Sequence, residues 1–331
     1  MALPYFAAMP NGGYLTNSTV ESYMQTGAVG ELANFYQYNA INGPYTYYRN
    51  PYTLGANLLQ NYSSSTYNAL VLEAIKRMNN GLSFQANYVF SKNLSDSQGA
   101  QGTDFEPLLD MSNPKIEKAR VAAMDITDVF KANFSYSLPL GAGHRLRGGS
   151  FVNKIIGAWN MAGLFTMQSG TPFSILSGRA TLNRSSRSTN DTADTTLDLA
   201  QLKNLFQLRM TGTGPYYVGA SAIGSDGRAV APDGTAPFAG QVFTEPAAGT
   251  IGTMQKALLN GPGVWDFDFK VSKDVRISEN KSAELRMDST NFFNHTTWYV
   301  GDQTLTSTTF GKITSQYYGN RLIQFALYFK F

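Results

Sequence analysis

The sequence has no cysteine in its 331 residues, which removes disulfide frameworks, thiolate nucleophiles and Cys-ligated zinc or iron–sulfur sites together. Charge is also scarce. Only 15% of residues are Asp, Glu, Lys or Arg, against about 25% in an ordinary globular domain, and 26 basic residues against 23 acidic ones leave a formal charge of +3. That balance is no nucleic-acid charge pattern. Long apolar runs are missing as well: none reaches the roughly 18 residues of a membrane-spanning helix. The start, Met1-Ala-Leu-Pro, has neither the basic region nor the apolar core of a secretory leader. What is abundant is aromatic, with 19 Tyr and 21 Phe in a background rich in Asn, Ser, Thr and Gly. A chain without long apolar runs can still cross a bilayer if apolar and polar residues alternate along the strands of a closed barrel. The pattern is therefore read at period two.

In RLIQFALYFKF at the C-terminus, Ile323, Phe325, Leu327, Phe329 and Phe331 fall on one face, and Leu322, Gln324, Ala326, Tyr328 and Lys330 on the other. In LSFQANYVFSK the apolar set is Leu82, Phe84, Ala86, Tyr88 and Phe90. Phe130, Ala132, Phe134, Tyr136 and Leu138 alternate with Lys131, Asn133, Ser135 and Ser137. The same alternation recurs where Trp265, Phe267, Phe269 and Val271 are interleaved with Asp266, Asp268, Lys270 and Ser272. Three weaker segments offer Leu70, Leu72 and Ala74; Trp159, Met161, Gly163, Phe165 and Met167; and Ala283, Leu285 and Met287. The pattern thus predicts seven strands. About 11 residues at ~3.3 Å rise, tilted ~40 to 45°, span ~25 Å, the height of the apolar band of a membrane barrel.

The connections between these strands alternate in length. Asn79-Asn80-Gly81, 139–156 and Asp274–Lys281 are tight to intermediate, whereas 93–125, 169–263 and 294–320 are long. Membrane barrels join strands by short periplasmic turns and long extracellular loops, so the long connections are expected outside and the C-terminus on the periplasmic side. Residues 1–64 are aromatic, rich in Gly and Asn and aperiodic, which predicts another external loop region leading into the first strand; 65–331 is the barrel segment. Within the longest connection, Leu199, Leu202, Leu205 and Phe206 fall at helical spacing and predict a short helix.

Several blocks then match a known family. YNALVLEAIKRMNNGLSFQANYVFSKNLSD, FKANFSYSLPLG, GAWNMAGLFTMQSGTPFSI, GPGVWDFDFKVSKDV, ELRMDSTNFFNH, FGKITS and RLIQFALYFKF follow one another in that order. From about Asn50 to Phe331 the chain resembles the C-terminal barrel portion of TonB-dependent outer-membrane receptors, specifically the Oar-like group. The resemblance implies a plugged barrel of about 22 strands that takes up a scarce solute across the outer membrane with energy delivered through TonB. Plug, TonB-contacting box and most of the strands find no counterpart here. The fold expected is therefore all-β, a partial antiparallel transmembrane β-barrel of about seven strands with long extracellular loops, read as a C-terminal receptor fragment from an incomplete reading frame. Its expected partners are outer-membrane lipid, the missing N-terminal strands and plug, the barrel assembly machinery, and the TonB complex only through the full-length receptor.

Site residues follow from that reading. Phe325, Leu327, Phe329 and Phe331 resemble the terminal signal recognised by barrel assembly machinery; an ordinary amphipathic strand is the plainer reading, and a Phe as the last residue favours the signal. Tyr88, Tyr136, Trp159 and Trp265 are candidates for interfacial aromatic girdles. The histidines, His144 and His295, are expected at opposite ends of the barrel, which argues against a His-based hydrolase because a nucleophile needs its base within reach. Asn190, Asp191, Asp194 and Asp198 lack the glycine turn and glutamate of an EF-hand loop and read as solvated loop acids. Asp226-Gly227 and Asp233-Gly234 read as turns, and sequons such as Asn17 and Asn61 as chance. Glu284, Arg286, Asp288, Lys131, Asp266, Asp268 and Lys270 are expected to line a lumen. No catalytic, cofactor or metal residue is assigned. The rival reading is a secreted or surface adhesin, a carbohydrate-binding β-sandwich with the apolar faces as its interior and the aromatic loops as its binding surface.

Overall fold

The computed structural model describes residues 4–25, 27–41, 43, 47, 61, 63–97, 108–110, 112–122, 124–144, 146–182 and 190–331. Parts of three expected loop regions, 48–60, 98–107 and 183–189, lie outside the described residues. The main element is one antiparallel sheet whose seven long strands pair in chain order: β1 (Ser65–Asn79), β2 (Leu82–Ser95), β3 (Asp128–Ser137), β4 (Trp159–Gln168), β5 (Val264–Arg276), β6 (Ser282–Thr290) and β7 (Leu322–Lys330). The two-residue strand Ala119–Arg120 pairs with the end of β2. Among the described residues β1 pairs only with β2 and β7 only with β6, so the sheet is open.

Register carries the two-faced pattern from strand to strand. Residues directly opposite in an antiparallel pair point to the same side. Leu72 faces Tyr88, Tyr88 faces Phe130, Phe130 faces Met167 and Met167 faces Trp265. Further along, Val271 faces Met287 and Met287 faces Phe325. Each apolar set read from the sequence therefore lies on one continuous face. A slip of one residue in any pair would have thrown one set to the other side. Apart from Asp128 at the head of β3, the paired residues of this face include no acid, and Lys76, Lys92 and Lys273 stand toward the strand ends. Such placement lets the ammonium groups reach water past an apolar band.

Local chemistry explains the tight ends. Asn80 and Gly81 both have positive φ, 51° and 79°, the geometry of the two-residue hairpin turn that Asn-Gly favours. A Cβ on Gly81 would stand 2.6 Å from the Ser137 carbonyl oxygen. Ile277 and Ser278 close the second short turn by donating to the Lys281 carbonyl. The third lower connection contains a helix, Ser150–Ile156, whose end is held by Lys273: its Nζ donates to the carbonyls of Ile155 and Gly157 at 2.8 and 2.6 Å.

The hydrophobic core is not against the sheet. It lies in the upper connections, where 169–182, 190–263 and 291–321 fold together around Phe173, Phe206, Phe243, Leu305 and Phe310. The β4–β5 ladder continues upward as Pro172–Phe173 paired with Leu259–Asn260. Leu305 interleaves, donating to Leu176 and accepting from Ala229 at 2.9 Å each. The expected helix is present as Leu199–Leu205, started by a capping box between Asp198 and Gln201 and buried at Leu202.

Ahead of β1, the described residues of 1–64 include helices Ser18–Gln25 and Val29–Tyr38, which the aperiodic sequence did not predict. Asn17 starts the first by accepting from the amides of Thr19 and Val20, and aromatic contacts, Tyr14 on Phe35 and the Tyr36 hydroxyl on the Gly13 carbonyl, replace an aliphatic stripe. The sandwich alternative fails. Leu70, Leu72, Leu285, Phe325, Leu327 and Phe329 are all exposed, so the apolar face is no sandwich interior.

Candidate functional site

Three features of the sheet and its upper connections bear on function: a charged inner face, an aromatic rim and a folded cap. On the face opposite the apolar one, Lys131, Asp266, Asp268, Lys270, Glu284, Arg286 and Asp288 all share one side by register. The structure joins several of them. Lys330 Nζ donates to Glu284 at 3.0 Å, Arg286 Nε to Asp288 at 2.5 Å, and Gln85 to Glu73 at 2.7 Å. At the lower end Ser137, Asn160 and Asp274 form a chain of side-chain hydrogen bonds across three strands, at 2.7 and 3.2 Å. Leu164 is the exception on β4, an exposed leucine among these polar groups. A recess of about 350 Å³ opens around it, bounded by Asp268, Lys270 and Asp288. A wall that presents both signs of charge at fixed positions is suited to polar solutes or to a polar protein surface, not to lipid.

The aromatic candidates divide between the two ends. Tyr88 and Trp265 lie on one row of paired residues toward the upper end, and Tyr136 and Trp159 toward the lower. Tyr88 donates its hydroxyl to Asp128 at 2.6 Å, which gives the one acid of the apolar face a partner. Trp159 donates to the Ile155 carbonyl at 3.0 Å, with Lys273 Nζ 5.0 Å from its ring centre. Trp265 stacks on His295 at 3.9 Å. Beside it Phe293 stacks on Phe267 and Phe292 tilts against Phe269. Sequence reasoning missed this pad of Phe292, Phe293 and His295, because it depends on a loop folding back over a strand. Asn291 makes the fold-back: its Nδ2 donates to the His295 carbonyl while its Oδ1 accepts from the His295 amide, at 2.9 and 2.8 Å. Phe325, Leu327, Phe329 and Phe331 lie at the end of the chain on the edge strand, and Phe331 is 92% exposed.

The cap absorbs residues that the sequence left open. Asp191 is buried, not solvated, which corrects that expectation: it accepts from the Gly252 amide at 3.2 Å. Burial pushes its carboxyl up to about 6, against the opposing pull of the amide bonds from Gly252 and Thr192. Asp194 accepts from the Thr253 amide and Asp198 caps the short helix. These acids hold backbone, and among the described residues no three His, Asp or Glu gather as metal ligands. Arg179 ties together Glu245, Asp233 and the Pro246 carbonyl; burial raises the Glu245 carboxyl while the Arg179 charge pulls it back. Asp226 pairs with Arg228. His144 lies in the lower connection and His295 in the upper, so the structure does not bring them together.

A family model described as an outer membrane beta barrel domain matches residues 14–324. No curated protein and no solved structure matches the chain. The match covers nearly the whole sequence, and with it the exposed apolar face and the charged inner face have one explanation. The chain belongs to the outer membrane β-barrel domain family and resides in the bacterial outer membrane.

Proposed function

We propose that this outer-membrane β-barrel chain is wall and cap of a TonB-dependent receptor of the Oar-like group, taking part in energised uptake of a scarce solute and carrying no catalytic group of its own. In this reading further strands complete the barrel across the two open edges of the sheet. The cap and the other upper connections face outside and contact the solute, and the charged inner face contacts solute or plug. Tyr88, Trp265, Tyr136 and Trp159 sit at the two membrane interfaces, and the terminal Phe325, Leu327, Phe329 and Phe331 serve assembly. The observation that carries the reading is a sheet with polar charge inside and aromatic, aliphatic surface outside, surmounted by connections that fold on one end only.

The test has two stages, and the lack of cysteine makes the first free of background. Thr213→Cys in the cap and His144→Cys in the lower connection are exposed single sites. On intact cells a membrane-impermeant maleimide should label the first and spare the second until the cells are lysed. The reverse pattern overturns the orientation. In the second stage, cells lacking the gene and cells lacking TonB should fail to grow on the same limiting solutes. Uptake that persists after collapse of the proton gradient overturns the energised-transport reading.

A further inference from the structure

We propose that the outer face carries, at its upper rim, a binding groove for the phosphorylated headgroup of an acylated membrane lipid. A cavity of about 610 Å³ lies between the top of β2 and the cap. On the sheet side it is lined by Phe90, Lys92 and Leu94, with Ser91, Arg120 and Thr127 beside them. Phe90 faces Leu70, Lys92 faces Asn68 and Leu94 faces Thr66, the same alternation that puts Leu72 and Tyr88 on the apolar side. The groove therefore opens toward lipid and not toward the charged inner face. On the cap side it is bounded by Leu199, Lys203 and Phe206, and by Leu258 and Leu259.

Four basic residues line this groove, Lys92, Arg120, Lys203 and Lys256, and no acid does. Two of the four are committed elsewhere. Arg120 donates to Asp125 at 2.5 Å and Lys256 to Glu117 at 2.5 Å. Asp128, the acid on this face, is held by the Tyr88 hydroxyl and stands outside the lining. Lys92 and Lys203 are exposed and have no carboxylate partner among the described residues, so they supply the charge that an anion meets. A soluble phosphate has no use for the apolar floor of Phe90, Leu94 and Leu258. A phosphorylated lipid uses both parts: its headgroup meets the lysines, and its acyl chains continue down the face over Tyr88, Leu72 and Leu70. The upper rim is the level of the outer leaflet, so the occupant is an anionic acyl lipid of that leaflet. The inference rests on the outer-membrane location and on the cap-outside orientation proposed above, and is independent of what the barrel transports.

The test is native mass spectrometry of the 331-residue chain in dodecyl maltoside micelles, titrated with diphosphoryl lipid A or with phosphatidylcholine. The chain should retain lipid A in preference to phosphatidylcholine. The double variant Lys92→Gln/Lys203→Gln should bind it about 25-fold more weakly, from about fivefold per lysine. Lys92→Arg/Lys203→Arg should restore binding, and Lys131→Gln/Lys270→Gln, on the opposite face, should leave it unchanged. Unaltered retention by the first variant, or no preference over phosphatidylcholine, overturns the groove. Displacement by excess inorganic pyrophosphate makes it a site for free anions and overturns the lipid assignment. A chain that folds in plain buffer and never partitions into micelles refutes the membrane placement instead, so the two failures are told apart.

Discussion

Replacing Phe325 by Arg should cost far more than replacing its neighbour Gln324, and only in a bilayer. Phe325 lies midway along β7 opposite Met287 and is 73% exposed in the chain alone. A buried Phe covers roughly 200 Å², so about 150 Å² is left for lipid to cover, worth about 4 kcal/mol at ~25 cal/mol per Å². An Arg near the bilayer midplane adds a further ~2 to 4 kcal/mol. Phe325→Arg should therefore destabilise the inserted chain by about 6 to 8 kcal/mol. Gln324 stands opposite Asp288 on the charged face, and an arginine there should change stability by less than about 1 kcal/mol. In water the two sites are both exposed and the two substitutions should differ by only about 0.5 kcal/mol. The assay is guanidinium unfolding of the chain refolded into phosphatidylcholine vesicles, followed by tryptophan fluorescence. Equal losses at the two positions, or a greater loss at Gln324, would refute the assignment of the faces.

The cap offers three further tests. Phe243 is fully buried between Phe206 and Phe310, each ring 6.2 Å away, so Phe243→Ala should cost about 3 to 5 kcal/mol and open the cap to limited trypsin while the micelle-bound strands stay protected. Lys256→Met leaves Glu117 buried without its cation and should cost about 3 to 5 kcal/mol, most of it recovered when Glu117→Gln is added; thermal melts of the single and double variants decide this. The Asp191 carboxyl is raised in the fold to about 6 from 3.8, so between those values the folded state binds the extra proton. Its contribution to stability is then greatest below about pH 4 and is lost as pH rises through 6, by up to about 3 kcal/mol. Asp191→Asn should remove this component and raise the cap's melting temperature at pH 8; an unchanged difference between pH 5 and pH 8 would exclude Asp191 as its source.

Period two made the sheet legible because each strand keeps one apolar face on its own account, even where Val71 and Ile75 on β1 and Leu164 on β4 interrupt the polar one. The weak β4 has a Gly163 whose reason is visible only in space. A Cβ there would come within 2.5 Å of the Phe134 ring and 2.9 Å of Phe267, so the glycine makes room for aromatic neighbours on both flanking strands. The cap was not legible for the opposite reason. Phe173, Phe206, Phe243 and Phe310 converge from distant segments with no shared period, and no local pattern marks them as one core. Asp191 fell to the same limit: an acid in a Ser/Thr/Asn/Asp-rich stretch looks solvated until the Gly252 amide is brought to it. The N-terminal helices escaped notice because aromatic and polar contacts, rather than a leucine stripe, pack them.

The location of the core changes what the upper connections can do. Loops that merely linked strands would be mobile, and ordering them around a solute would cost conformational entropy with every binding event. Here residues 169–182, 190–263 and 302–313 are already ordered about a shared interior, so that cost is met in folding. The large Phe side chains that looked available as a binding surface are consumed in building it. On the receptor reading proposed above, recognition from this side depends on what the cap leaves outside, held on a preformed backbone. Sheet and cap divide the work by solvent: the strands need lipid to cover their apolar face, whereas the cap carries its own interior. On that receptor reading, a substitution such as Phe243→Ala should therefore impair solute binding before it disturbs membrane insertion, and Phe325→Arg should do the reverse.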